Sequence, residues 1–116
     1  TNFPATKIPA VAAAIREHEG LFRKADAPPL QPVETAILWD ADKLSKLGVQ
    51  AVAFSLSTMY HAGRTLRQRR ANMLDYLENT LVRTVTSMNT KPARKAAKQR
   101  YNNMATMLEL WREEEE

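Results

Sequence analysis

Hydrophobic positions in the second half of the chain fall at helical spacing. Leu74, Leu77, Leu81, Val85 and Met88 recur at steps of three and four, which places them in one stripe and predicts a long amphipathic helix from about Leu66 to Met88. The same spacing returns in Ala97, Tyr101, Met104, Leu108 and Trp111, so Tyr101 and Trp111 read as core. Between the two stripes, Asn89 and Thr90 mark a break where Thr90 can cap and Pro92 can occupy a first turn. Two such helices joined by a short turn are expected to pack as an antiparallel pair.

The first half carries weaker periodicity. A helix is predicted from about Ile8 to Glu19, with Pro9 tolerated in its first turn because the amide it lacks would have had no partner there, and with Gly20 as a stop. Pro28, Pro29 and Pro32 forbid helix and make Leu21 to Pro32 a connecting loop. A second helix begins near Val33. Gly48 interrupts or ends it, and Val49 to Tyr60 is apolar nearly all round, as expected of a helix enclosed by others. Nothing alternates in the manner of a β protein. The expected fold is all-α, a bundle of about five helices in a single domain spanning residues 1–116.

One residue disturbs the pattern of the second helix. At 100° per residue, Val33, Ile37, Leu44 and Leu47 share a face and Asp40 falls among them, a carboxylate turned toward the core that must find hydrogen-bond donors or lose its charge. Asp42 lies on the opposite side, with Lys43 at that side's flank and Lys46 one turn beyond. Ordinary helix pairing would match Asp42 with Lys46 and Asp40 with Lys43, each contributing about 0.3–0.5 kcal/mol.

Composition narrows the chemistry. The 116 residues are 44% apolar, enough for one core and too few for two ordinary domains. The absence of cysteine excludes disulfides, thiolate zinc sites and cysteine nucleophiles. No run approaches the ~18 apolar residues of a membrane span and the first residues lack a signal-peptide pattern, so a soluble cytoplasmic protein with no membrane partner is expected. The net charge of +4 gathers in the second half, in RTLRQRR (Arg64, Arg67, Arg69, Arg70) and between Lys91 and Arg100. Such clusters can meet phosphates, although on long helices they more often form a solvated face. Glu113 to Glu116, at the negative end of their helix dipole, are expected to fray.

The run LWDADKLSKLGVQAVAFS, from Leu38 to Ser55, resembles the final motif of the HD-domain metal-dependent phosphohydrolases. The resemblance extends upstream to Ile15 and His18, the proline-bearing loop and Glu34, and downstream to TKPARKAAKQRYNNMATMLELWREE, which is similar to the family's closing helix. It implies an all-helical, HD-domain-like bundle. In that family a divalent cation (Mg²⁺, Mn²⁺ or another transition metal) is bound by a histidine, an adjacent His-Asp pair and a distant aspartate.

Carried onto this sequence, the distant aspartate is Asp42. Lys43 matches a basic position that reaches substrate phosphate, and Asp40 matches an aspartate that would orient its neighbours. His18 matches a histidine that binds phosphate or a second metal, and Lys46 joins Lys43 and His18 as a candidate substrate-binding residue. The implied activity is hydrolysis of a small phosphate ester, a nucleotide among the candidates, by metal-activated water.

His18 and His61 are each followed by a residue other than aspartate, so the family's His and His-Asp motifs are missing here. The chain therefore resembles the second half of an HD domain, and Thr1 in place of an initiator methionine fits a fragment or a processed chain. Alone it is expected to be inactive, with an uncovered apolar face that favours a homo-oligomer or a domain-swapped dimer. His61 is expected to cap a helix C-terminus. The alternative function is a non-catalytic helical module whose basic half contacts nucleic acid or an acidic partner.

Overall fold

Helical spacing is realised on both sides of the proline-bearing loop. The computed structural model describes residues 2–115, with Met59 by its backbone alone, and every regular element among them is helical. These are α1 (Ile8–Glu17), α2 (Val33–Leu44), α3 (Val49–Leu56), α4 (Leu66–Tyr76), α5 (Val82–Val85) and α6 (Lys91–Glu114). A π-helical turn, Leu77–Leu81, joins α4 to α5 in one rod, as the long stripe predicts. Single 3₁₀ turns occupy Ala5–Lys7 and Met59–His61.

Capping residues fix the ends of the long rods. Thr65 and Gln68 form a reciprocal capping box at the start of α4, which satisfies two backbone amides that the helix cannot. Thr90 Oγ1 accepts from the Ala93 amide at 3.3 Å at the start of α6. The far end of α6 returns to the beginning of α4, where Glu115 accepts from Arg70 Nε at 2.6 Å and lies 3.7 Å from Arg67. The two rods are therefore antiparallel, as expected. Helix extends to Glu114, and Glu115 is held by this ion pair, so the expected fraying is absent through Glu115; Glu116 lies outside the described residues.

Helix α6 is the central element and touches α2, α3, α4 and α5. Its buried Ala93, Ala97, Met104 and Leu108 meet Leu47, Val52, Met73, Leu77, Leu81 and Met88 in one apolar core, with Tyr101 and Trp111 packed against it. This matches the two predicted stripes. Thr84 is buried beside Val85 because its hydroxyl finds an acceptor, donating to the Leu21 carbonyl at 2.7 Å.

Two expectations are corrected. In α2 the buried residues are Thr35, Ala36, Trp39, Asp40 and Lys43, while Val33 and Ile37 are more than half exposed. The bulky indole of Trp39 goes inward and takes the buried arc with it. In α3 only Val52 is buried, and Phe54 is 74% exposed. That helix lies against α6 and the 3₁₀ turn after it and is not enclosed.

The shape explains the exposed apolar groups. The chain measures 59 × 32 × 20 Å with a radius of gyration of 16.7 Å, against about 13 Å for a compact domain of about 100 residues. A thickness of 20 Å is two helix diameters, so one face of each layer meets solvent. Helix α1 has no buried residue, and Ile8, Val11 and Ile15 are exposed. Among the described residues no helix is long and apolar enough to cross a membrane.

The α2–α3 corner depends on Gly48, whose φ of 103° and ψ of 176° lie in a region that side chains avoid. A Cβ there would meet Arg100 Cγ at 3.5 Å, an ordinary contact, so the cost of Gly48→Ala is conformational. We expect it to be about 1–3 kcal/mol, a fall in melting temperature of roughly 4–12 °C measurable by circular dichroism; an unchanged melt would show that the corner relaxes.

Candidate functional site

The last turns of α2 send their charged residues in three directions. Asp40, only 4% exposed, points at the turn before α6. Its Oδ1 accepts from the Asn89 amide at 2.7 Å and from Asn89 Nδ2 at 3.1 Å, and its Oδ2 accepts from the Thr90 amide at 2.9 Å and from Thr90 Oγ1 at 2.8 Å. The core carboxylate thus finds its donors at the positive end of a 24-residue helix, where negative charge is stabilised. It orients Asn89 and Thr90, and among the described residues it forms no ion pair with Lys43, in place of the pair that helix spacing suggests.

Lys43 is buried, 1% exposed, and so does not project at the flank. Its Nζ donates to the His18 carbonyl and to Asp42 Oδ2, the latter at 2.7 Å, and stands 4.3 Å from the centroid of the Trp39 ring. A buried ammonium is stable only where its charge has partners. Here a carboxylate, a carbonyl at the negative end of α1 and an aromatic face supply them. The turning of α2 that buries Trp39 brings Lys43 inside with it.

Asp42 keeps a carboxylate that is 31% exposed. Partial burial pushes its pKa up, but the hydrogen bond and charge of Lys43, with Lys46 and His18 nearby, outweigh this and hold it below the usual carboxylate range. A depressed folded pKa contributes stability above the unfolded value that is lost only as pH falls through the folded one, below about pH 4. Asp42 is therefore ionised at neutral pH. The direct ion pair is with Lys43, in place of the expected pair with Lys46, whose charge nonetheless acts on Asp42.

His18 caps the C-terminus of α1, with Nδ1 against the Ile15 carbonyl. Because Lys43 grips both the His18 backbone and the Asp42 side chain, it holds these two residues at one corner. Two donors are far short of the roughly six that Mg²⁺ or Mn²⁺ takes, and among the described residues no group of three or more His, Cys, Asp or Glu could hold a metal ion. The residues present do not by themselves make a divalent-metal site.

Sequence reasoning misses the support beneath this corner. Arg23, in the proline loop, donates to the Pro28 carbonyl at 2.9 Å, the Ser87 carbonyl at 3.1 Å and Asn89 Oδ1 at 2.7 Å, and lies 5.6 Å from the Trp39 ring centroid. Trp39 Nε1 donates to Ser87 Oγ at 3.1 Å. The loop is thereby latched to the same turn that Asp40 organises. A tryptophan next to the odd aspartate and an asparagine just before a helix cap were signals; Arg23, in a loop without periodicity, gave none.

His61 does not cap a helix, because α3 ends at Leu56 and His61 belongs to a separate turn. It is buried, with Nε2 3.5 Å from Ser55 Oγ and Nδ1 without a partner among the described residues. Burial, and then the charges of Arg64 and Arg69, push its pKa down. The unfolded chain therefore binds a proton near pH 6.5 that the folded chain resists, so stability should fall as pH drops from about 7 to 5. His61→Gln should flatten that slope in melts taken across the range; an equal slope would show that His61 protonates freely.

The arginine cluster is engaged within the chain. Arg64 stacks 4.4 Å from the Tyr60 ring centroid, Arg69 donates to the Arg64 and Leu56 carbonyls, and Arg70 pairs with Glu115. In the stretch from Lys91 to Arg100, Arg94 donates to the Asn89 carbonyl and Arg100 to the Leu44 carbonyl. Comparison with models of known protein families, with characterised proteins and with solved structures found no match.

Proposed function

We propose that this chain carries part of the site of an HD-type phosphohydrolase acting on a small phosphate ester. The observation that supports the reading is the carboxylate of Asp42, ionised, partly exposed, and fixed beside His18 by a lysine that is itself buried. Burying an ammonium costs desolvation, and what this one achieves is to tie the Asp42 carboxylate to the backbone of His18.

In the family that the sequence resembles, a bound cation supplies the attacking water. This chain would contribute Asp42 as one ligand, with His18 and Lys46 facing the charge of the phosphate. Lys43 acts through Asp42 as a positioning residue, because its Nζ is enclosed. The remaining ligands would come from outside the described residues. The exposed apolar residues of α1 and α3 support association with a further segment or a second copy, as the resemblance implies.

The test is Mn²⁺-dependent release of phosphate or pyrophosphate from a panel of nucleotides and simple esters. It should be made on the chain together with any segment its gene places before Thr1, and repeated with Asp42→Ala. Activity lost with that change supports the reading; activity that survives it, or activity absent with every metal and substrate, defeats it.

A further inference from the structure

A cavity of about 760 Å³ opens between α3, the turn after it and α4, with Phe54, Ser55, Tyr60, His61, Asn72 and Tyr76 in its wall. That volume is within the range of small-molecule sites, about 300–1,000 Å³. We propose that it binds a planar, uncharged heteroaromatic ring of the nucleobase kind.

The composition of the wall carries the inference. Phe54, Tyr60 and Tyr76 bring three aromatic rings to the wall, Phe54 and Tyr60 being largely exposed at 74% and 66%, with Arg64 stacked on one side of Tyr60. Every base has a face that can stack on such rings. Two exposed residues of opposite charge, Lys46 and Asp75, also line it, while the less exposed Ser55 hydroxyl, Asn72 amide and His61 imidazole are neutral hydrogen-bonding groups, each able to donate or accept. The three neutral groups match the edge of a heterocycle, and the opposite charges of Lys46 and Asp75 leave the wall without a net charge to favour an anion or a cation.

His61 gives the most direct sign of a missing partner. It lines the cavity, is 1% exposed, and its Nδ1 is bonded to nothing among the described residues. Buried polar atoms in proteins nearly always have a partner. A ring nitrogen or carbonyl of a bound heterocycle would provide one. Ser55 Oγ, at 3.5 Å from Nε2, is at the limit of hydrogen bonding and free to turn toward a ligand.

The cavity also adjoins the corner described above. Lys46 is in its wall and acts on the charge of Asp42. A nucleotide whose base filled the cavity would run past Lys46 toward Asp42. That placement rests on the hydrolase reading, whereas binding of the ring does not.

The experiment is a titration of the full chain, without metal, with adenosine, guanosine, cytidine and uridine, followed by calorimetry and by NMR of the His61 imidazole. At least one nucleoside should saturate with a Kd below about 1 mM and shift the His61 resonances. Phe54→Ala, at a position too exposed to decide folding, should weaken binding about tenfold through the lost stacking surface. His61→Phe should weaken it at least as much by removing the ring nitrogens. If no nucleoside binds, if neither variant weakens binding, or if inorganic phosphate alone shifts His61, the proposal is overturned. Nucleoside binding together with no hydrolysis of any nucleotide would uphold the cavity and defeat only the hydrolase reading.

Discussion

Asp40→Ala will lower the melting temperature by at least about 10 °C. The change removes an acceptor that serves the amides of Asn89 and Thr90 as well as Asn89 Nδ2 and Thr90 Oγ1. Donors left unsatisfied in a buried position cost about 1–3 kcal/mol each, and partial relaxation toward water makes a net loss of about 3 kcal/mol a reasonable figure. At roughly 4 °C per kcal/mol for a domain of this size, the shift is readily seen in a thermal or urea melt.

Asp40→Asn should fall between the two, since it keeps one acceptor oxygen but turns an NH₂ toward donors. The damage should be transmitted to the proline loop, because Arg23 and the Leu30 amide both bond Asn89 Oδ1. Faster amide exchange in that loop would report it. A melt within 2 °C of the unsubstituted chain would mean that the α5–α6 turn is satisfied by something other than this carboxylate.

The second large effect concerns activity. Under the hydrolase reading, Asp42→Ala should reduce Mn²⁺-dependent phosphate release at least about a hundredfold, since loss of a group that merely orients a ligand already costs 10- to 100-fold. It should also destabilise the chain by about 2–3 kcal/mol, because the buried Lys43 loses its carboxylate while keeping the His18 carbonyl and the Trp39 ring as partners, so activity is compared at a temperature where both chains are folded.

Lys43→Met isolates the positioning role. It preserves buried volume but frees the Asp42 carboxylate, so activity should fall 10- to 100-fold with a weaker apparent affinity for metal. If instead Lys43→Met left activity and metal dependence intact, the grip of Lys43 on Asp42 would be only structural. Asp40→Ala is thus read in the melt and Asp42→Ala in the activity, two different signatures from two residues separated by a single alanine.

The helical plan was legible in the sequence for a simple reason. Along α4 to α6 the apolar groups stand at the period of the helix, and a stripe of that length can be buried in few ways. Leu77, Leu81, Met88, Ala97, Met104 and Leu108 are all buried as the spacing predicts, and Thr90 caps where its position before Pro92 indicates. The oddity of Asp40 was equally readable, since a carboxylate among apolar positions must meet donors.

Tertiary structure alone decided where those donors are, 49 and 50 residues along the chain at Asn89 and Thr90. Periodicity describes one helix at a time and is silent on which neighbour lies across from it. For the same reason it set the face of α2 by its small apolar residues, whereas packing chose the single indole of Trp39 and carried Lys43 into the interior. Loops have no period at all, so Arg23 and the buried His61 became visible only when the chain was folded back on itself.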